Sequence, residues 1–269
     1  MKLGIAIAPK EALPSTFVVF RDDIKLTMEK AYKLGYEGVE LALLDDSQIN
    51  IEGVKALCQK YQLEIPMISS GQVYAQSHLC LTSSDKGIRS QAIARLKGLI
   101  DVAEQFGSMV NIGRVRGPIE DSEPCGSSER RFIDSLGMLA LYAEPKGVHI
   151  ALEPVNRYEL NFINTLEEAQ QIILKTGRPN IKIMPDTFHM NIEEPCIEAS
   201  LVAHRDLIAY IHFAESNRWA PGMGHLNFPN IINTLKSIGY EGYVTVEILP
   251  HPSPDDAALQ AANYLKTLM

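Results

Sequence analysis

The 269-residue chain has no apolar run near the roughly 18 residues that a membrane-spanning helix needs. Its first residues, 1–9, resemble a strand and lack the long apolar stretch and cleavage site of a secretory signal. Its four cysteines are scattered, with no CxxC pair to suggest a zinc site. These absences argue against a membrane partner and a disulfide framework. We therefore expect reduced thiols in a cytoplasmic protein.

Basic residues are also few, because 25 Lys and Arg stand against 33 Asp and Glu, for a net charge of −8. The densest basic stretch, Arg114-Val-Arg116, is soon followed by the acidic Glu120 and Asp121. Nucleic-acid binding depends on neutralising phosphates, and an acidic chain repels them unless its basic charge is segregated. We therefore expect no nucleic-acid partner.

The chain also lacks a glycine-rich phosphate loop after its first strand-like run, where it reads Pro9-Lys-Glu-Ala-Leu-Pro14. That absence disfavours a doubly wound open sheet, the main alternative architecture for alternating strands and helices. No Ser/Gly-rich linker or shift in composition divides the sequence. We therefore expect residues 1–269 to form a single domain.

Eight strand-like apolar runs alternate with helical patterns along the whole chain. They lie near residues 2–8, 38–43, 64–70, 108–113, 148–153, 181–185, 208–213 and 243–249. Alternation of this kind predicts parallel strands joined by helices. Eight units in about 250 residues match a closed (β/α)8 TIM barrel, an α/β fold.

Local signals support this division of the chain. Residues 85–107 carry apolar side chains at spacings of three and four, which predicts a helix with one buried stripe, and Gly107 suits its C-terminal cap. Gly35-Tyr-Glu-Gly38 and Gly239-Tyr-Glu-Gly242 each precede a strand-like run and predict equivalent helix-to-strand joints. The connections 71–85 and 113–127 are long, so we expect them to cover the catalytic face of the barrel.

Four ligand-type residues end four consecutive runs, about 26 to 35 residues apart: Glu153, Asp186, His212 and Glu247. Taken singly, each has a structural explanation, such as a helix cap at Asp186 or a hydrogen-bonded core histidine at His212. Together they would meet at one rim of the barrel, where unpaired charges are costly and a metal ion is the simplest shared partner. Three carboxylates and one imidazole suit Mn²⁺, Mg²⁺, Co²⁺ or Zn²⁺ rather than a structural, thiolate-rich zinc site.

A cage of this kind suits removal of a proton next to a carbonyl group. A metal would stabilise the enediolate charge, and two glutamates on different strands would exchange the proton on opposite faces. Glu153 and Glu247 are the candidates for these acid/base roles.

Three segments resemble the D-tagatose 3-epimerase group of the xylose-isomerase-like TIM barrels: Glu153-Pro-Val-Asn-Arg-Tyr-Glu159, Asp186-Thr-Phe-His189 and His212-Phe-Ala-Glu-Ser-Asn-Arg218. The resemblance implies C3 epimerisation of a ketose, with Glu153, Asp186, His212 and Glu247 binding one divalent ion, commonly manganese. It further implies that Glu159, His189 and Arg218 bind the sugar, and that the protein forms dimers or tetramers. One departure is Asn227, where the group usually has Asp; we expect Asn to cap the following helix nearly as well.

Other activities remain open from the sequence. A sugar-phosphate isomerase, a hydroxypyruvate isomerase or a keto-inositol dehydratase would use the same cage. A nuclease of the AP-endonuclease type would need two or three metals and more histidines at strand ends than this chain has. A non-catalytic sugar-binding barrel would be expected to lack one of the paired glutamates. Finally, the Gly113-Arg-Val-Arg-Gly117 segment is a weak candidate for binding a substrate phosphate, since no glycine cradle opens a helix there.

Overall fold

A ring of parallel strands forms the centre of the computed structural model, which describes residues 1–13, 17–120, 124 and 126–269. The strands are β1 (Lys2–Ala8), β2 (Phe20–Arg21), β3 (Gly38–Ala42), β4 (Met67–Ser69), β5 (Met109–Ile112), β6 (Ile150–Leu152), β7 (Ile181–Ile183), β8 (Ile211–Phe213) and β9 (Tyr243–Val246). Their order is β7-β6-β5-β4-β3-β1-β9-β8, and the short β2 pairs only with β1. Bridges between Ile183 and Ile208 and between Asp186 and His212 join β7 to β8. The predicted eight-stranded TIM barrel is therefore confirmed.

Helices connect these strands. They are α1 (Ile24–Lys33), α2 (Ile51–Tyr61), α3 (Gly71–Ser77), α4 (Lys86–Glu104), α5 (Ser127–Ala143), α6 (Leu166–Thr176), α7 (Thr187–Glu193), α8 (Ile197–Ala203), α9 (Phe228–Ser237) and α10 (Pro254–Lys266). The helix predicted over 85–107 is α4, with Asp85 as its N-cap and Gly107 at a φ of 66° just beyond its end. Asn227 caps α9, as expected. Within the described ranges, no helix has both the length and the apolar character of a bilayer span.

Several strands are shorter than the sequence predicted, and proline explains part of the difference. A proline has no N–H to donate to a sheet ladder. Pro66 lies just before β4, Pro154 follows the end of the predicted run at 148–153, and Pro185 ends the run at 181–185. The chain therefore enters the ladder late at β4, and after β6 and β7 it leaves the ladder early for the loops that form the rim.

Side chains alternate between two environments along each strand. In β8, Ile211 and Phe213 belong to the large apolar cluster shared with the helices, whereas Tyr210 belongs to a small cluster made up of residues in and beside the strands. Because neighbouring side chains in a strand point to opposite faces, His212 shares the inner face with Tyr210. The same alternation in β9 places Glu247 on the inner face, opposite Val246.

The two long connections contain short elements that the sequence did not predict. Helix α3 occupies the first half of the 71–85 connection. A single 3-10 turn, Arg114–Arg116, lies at the start of the 113–127 connection. Residues 121–123 and 125 of the second connection, including one cysteine, lie outside the described residues. The Gly35 and Gly239 joints match their prediction, because both glycines have positive φ.

Candidate metal centre

Four side chains at the carboxyl end of the barrel bring ligand-type atoms together. Glu153 follows β6, Asp186 follows β7, His212 lies in β8 and Glu247 follows β9. One oxygen or nitrogen atom from each of these residues lies within 4.8 Å of the other three. The four residues that the sequence singled out therefore share one small volume at the rim.

Asp186 divides its two oxygens between a helix and the rim. Oδ1 accepts a 2.8 Å hydrogen bond from the backbone N–H of Phe188 and so caps α7. Oδ2 is buried and has no hydrogen-bond partner among the described residues. Burial raises the pKa of Asp186 to about 7, because the carboxylate loses its hydration there. A cation beside Oδ2 would compensate for that loss, so the residue can serve as both cap and ligand.

This raised pKa predicts a pH-dependent stability for the metal-free protein. The unfolded residue has a pKa near 3.8, so between about pH 4 and about pH 7 the folded state binds the proton more tightly. The contribution of Asp186 to stability is therefore greatest below about pH 4 and is lost as the pH rises through about 7. Asp186→Asn keeps a capping oxygen and removes the titration. In urea unfolding, we expect this variant to be more stable than the wild type at pH 8 and equally stable near pH 4. The same difference at both pH values would contradict the raised pKa.

His212 has one nitrogen facing the rim and the other facing a buried carboxylate. Its Nε2 lies 2.8 Å from Glu40 Oε2, and both side chains are fully buried. An ionised carboxylate can only accept, so Nε2 carries a proton, and Nδ1 is the nitrogen that has a lone pair when the ring is neutral. Nδ1 lies 3.7 Å from oxygens of Glu153 and Glu247 and has no hydrogen-bond partner among the described residues. It is thus free to bind an ion.

Glu40 is a functional candidate that the sequence reasoning did not assign. A carboxylate behind a metal-binding histidine fixes its tautomer and makes it a better ligand. The sequence did contain one signal for Glu40, because it is the single charged residue in the apolar run Val39-Glu-Leu-Ala-Leu. Its side chain lies on the inner face of β3. Burial alone would lower the pKa of His212, yet Glu40 and Glu247 raise it well above its usual range. The centre therefore has a negative potential that favours a cation.

Glu153 is oriented by an amide behind it. Asn111 donates from Nδ2 to Glu153 Oε2 at 3.1 Å, and its own oxygen accepts from the Ser70 N–H at 2.7 Å. That second bond fixes which end of the Asn111 amide faces the glutamate. At Gly113, a Cβ would overlap Oε2, so any larger residue would displace this carboxylate. Burial also raises the pKa of Glu153. The sequence reasoning did not find Asn111.

Arg218 joins two carboxylates at the rim. Its guanidinium donates 2.8 Å hydrogen bonds to Glu247 Oε2 and to Glu159 Oε1. It also lies 3.7 Å from the ring centre of Phe17 and 4.8 Å from that of Phe188. Such contacts favour a cation against an aromatic face. The structure therefore places the predicted residues Arg218 and Glu159 beside the metal centre.

The backbone of Arg218 is unusual, with a φ of 61° in the left-handed region that few residues other than glycine adopt. Its N–H donates to the Glu215 carbonyl at 2.7 Å, and its own carbonyl accepts from Leu249 N–H at 2.8 Å. The Glu215 carboxylate is buried and accepts from three further backbone N–H groups, those of Ser216, Gly222 and Leu226. These bonds maintain the strained conformation and aim the guanidinium at the rim.

His189, the third predicted sugar-binding residue, is buried and neutral. Burial lowers its pKa well below the usual value, and the positive charge of Arg218 adds to the effect. Its Nδ1 accepts from the backbone N–H of Asn156 at 3.2 Å, so the proton lies on Nε2. Nε2 lies 3.8 Å from Asp186 Oδ2 and 3.9 Å from Glu153 Oε1. An N–H donor thus faces the space beside the proposed metal site.

A cavity of about 20 Å³ remains between these side chains. Its lining includes Glu153, Glu159, His189, Arg218 and Glu247, together with Ser69, Asn111 and Arg114. This volume is close to that of one water molecule. A sugar would therefore need Arg218 or a neighbouring side chain to move aside.

Comparisons with known proteins agree with the fold. A family model described as a xylose isomerase-like TIM barrel matches residues 28–268. The chain is 34% identical over 219 residues to an L-ribulose 3-epimerase of Methylomonas sp. (strain DH-1), covering 81% of this chain and 75% of the relative. It is 31% identical over 232 residues to a D-psicose 3-epimerase of Ruminiclostridium cellulolyticum, covering 84% and 78%.

Solved structures also match this chain over its whole length. The crystal structures of a D-psicose 3-epimerase with D-tagatose, from Clostridium cellulolyticum H10, match with a TM-score of 0.83 and 26% identity. The match covers 100% of this chain and 99% of that one. From the family model, the identity to these relatives and the shared barrel, we conclude that the chain belongs to the xylose isomerase-like TIM barrel family.

Proposed function

We propose that this chain is a divalent-metal-dependent ketose 3-epimerase. The observation that carries the proposal is the cluster of four ligand atoms within 4.8 Å of one another. Two of its buried atoms, Asp186 Oδ2 and His212 Nδ1, have no partner among the described residues. The relatives named above are L-ribulose and D-psicose 3-epimerases, which supports the same reaction here. Oxygen ligands with one nitrogen suit Mn²⁺, which we propose as the native ion.

The proposed reaction inverts C3 of a ketose by removing a proton next to the carbonyl and returning it on the other face. A divalent ion held by the four residues would act as a Lewis acid and stabilise negative charge on the enediolate. Glu153 and Glu247 follow strands that are separated by β7 and β8, so they approach the centre from different sides of the rim. One glutamate would take the proton and the other would supply it.

The neighbouring side chains would bind and orient the sugar. His189 offers its Nε2–H, which suits a carbonyl or hydroxyl oxygen of the substrate. Arg218 offers a fork of N–H donors beside Glu247, and Glu159 can accept from a sugar hydroxyl. Because the Arg218 guanidinium now contacts both carboxylates, an arriving sugar would exchange those contacts for its own oxygens.

The function is tested by incubating the purified protein with D-psicose, D-fructose, D-tagatose or L-ribulose. Products are separated by chromatography, in Mn²⁺ and in EDTA. We expect C3 epimers in Mn²⁺ only, with deuterium entering C3 when the reaction runs in D₂O. Aldose products without C3 exchange would instead indicate aldose–ketose isomerisation. If no ketose reacts and no proton exchanges, the proposal is wrong.

Removing the Arg218 side chain should mainly weaken substrate binding. A charged hydrogen bond contributes about 1.5–3 kcal/mol, so Arg218→Ala should lower kcat/KM by about 10- to 100-fold, mostly through KM. Arg205→Ala is a suitable control, because Arg205 is exposed and contacts Val202 and Asp206 at the end of α8. Steady-state kinetics on the preferred ketose would measure kcat and KM for both variants. Unchanged kinetics in Arg218→Ala would place this residue outside the substrate site.

We also propose that the protein is a cytoplasmic homo-oligomer, a dimer or tetramer, with a small sugar as its only other partner. The oligomer follows from the family resemblance and the location from the scattered cysteines. Light scattering coupled to size-exclusion chromatography measures the number of subunits directly. A monomer of 29.8 kDa at working concentration would contradict the first of these proposals.

A further inference from the structure

Arg116 is a fully buried arginine whose hydrogen bonds to the described residues all reach backbone carbonyls. Its Nε donates to the Phe162 carbonyl at 2.8 Å, and its two terminal nitrogens donate to the carbonyls of Gly113, Glu153 and Ile163. Within the described parts of the chain, none of its hydrogen bonds reaches a carboxylate. Four of the five N–H groups thus bond to carbonyl oxygens, and the side chain is fully buried, so it does not face the cavity. Arg116 therefore cannot belong to the phosphate site considered for the Gly113–Gly117 segment.

The four carbonyls belong to two loops that form the site. Gly113 follows β5, and its Cα lies against the Glu153 carboxylate. Glu153 itself accepts at its carbonyl from Arg116 at 2.6 Å. Phe162 and Ile163 end the loop that carries Glu159, and the Ile163 carbonyl also accepts from the Val155 N–H at 3.3 Å. One side chain thereby links both ends of the 153–163 loop to the start of the 113–117 turn.

The same turn is tied to a third loop through its backbone. The carbonyls of Val115 and Arg116 accept from the N–H groups of Leu81 and Thr82, at 3.0 and 2.9 Å. These residues lie in the connection after β4. Burying a charged guanidinium without a carboxylate partner is costly, and it lowers the pKa of Arg116 to about 10. A neutral apolar residue would avoid that cost but could not bond four carbonyls at once.

We propose that Arg116 is a positioning residue of the active site, which fixes the backbone of Glu153 relative to Gly113 and the Glu159 loop. The Glu153 carboxylate is confined between Asn111 and Gly113, so a shift of either loop moves the carboxylate directly. A displacement of about 1 Å can lower catalysis by about 10²-fold. The kinetic part of this inference rests on the proposed epimerase function, whereas its effect on metal binding does not.

The test compares Arg116→Lys and Arg116→Met with a matched control, Arg89→Met. Lysine keeps the charge but lacks the planar fork, so it cannot replace all four bonds. Arg89 also donates to two backbone carbonyls, those of Ser83 and Ser84, at 2.7 and 3.0 Å, in a segment that does not line the cavity. Three quantities are measured: the Mn²⁺ dissociation constant by calorimetry, the urea unfolding midpoint, and kcat and KM for the preferred ketose.

We expect Arg116→Lys to weaken Mn²⁺ binding by about 10-fold, the scale on which residues behind metal ligands act. Its kcat should fall by about 10- to 100-fold with a smaller change in KM. Arg116→Met should be affected at least as strongly. Arg89→Met should bind Mn²⁺ and turn over substrate like the wild type, even where its unfolding midpoint is lower.

The proposal is overturned if Arg116→Lys keeps wild-type Mn²⁺ affinity and kcat, or if Arg89→Met loses both to the same degree. Either result would assign Arg116 to general stability alone. If Arg116→Met does not fold, Arg116→Lys decides the question. If the wild type acts on no ketose, the proposed function fails, but the comparison of Mn²⁺ affinities still decides whether Arg116 positions Glu153.

Discussion

Glu247→Gln should reduce ketose epimerisation by at least about 10²-fold while leaving the barrel folded. Glutamine has nearly the same shape, but it can neither take up nor supply the proton, a role that contributes about 10²- to 10⁴-fold. It also removes one negative charge from the cluster and one acceptor from Arg218. Chromatographic assay of both epimers measures the loss, and the unfolding midpoint reports on the fold.

A matched control lies at the other end of the same strand. Glu241 precedes β9, is exposed and lies at the amino end of the barrel, so Glu241→Gln should leave turnover unchanged. Exchange of the C3 proton in D₂O shows which of the two faces a variant can still deprotonate. If Glu153 and Glu247 each serve one face, Glu247→Gln should lose inversion of both epimers yet retain C3 exchange with at most one. Near-native turnover in Glu247→Gln would refute an acid/base role for this residue.

Removing the metal should abolish activity and lower the thermal midpoint by about 5–10 °C. An ion that binds only the folded cluster stabilises it by about 2.7 kcal/mol at a concentration 100 times its dissociation constant. For a chain of this size, 1 kcal/mol corresponds to about 2–4 °C. The loss should be reversed by adding Mn²⁺ after EDTA is dialysed away. Calorimetric scans with and without EDTA, beside an activity assay, measure both effects.

The source of that stabilisation can be checked with Asp186→Asn. This variant keeps the cap of α7 but removes the charge at Oδ2, so its midpoint should hardly respond to Mn²⁺ or EDTA. A shift as large as that of the wild type would mean that the ion binds elsewhere. The metal proposal itself would be wrong if dialysed protein, free of metal by elemental analysis, retained full turnover.

Much of the architecture could be predicted from the sequence, because its signals are local. The strand-like apolar runs, the three- and four-residue spacing over 85–107 and the glycines at 35, 107 and 239 each record a backbone conformation over a few residues. The four ligand candidates could be found for the same reason. Parallel strands in a barrel all end at one rim, so a polar residue closing each apolar run points to a shared location. Short elements such as α3 and β2 were missed, since their patterns are too brief to stand out.

The sequence by itself thus determined the barrel, the order of its strands and the four residues that meet at its rim, since each depends on short-range patterns and on chain order. Only the tertiary structure decided which atoms face the centre: Nδ1 rather than Nε2 of His212, Oδ2 rather than Oδ1 of Asp186. It alone also showed that Glu40 lies behind His212 and that Asn111 and Arg116 bond to Glu153. The physical reason is that a side chain is oriented by its hydrogen-bond partners. The partners of His212 and Glu153 come from other strands and loops, up to 172 residues away in the chain.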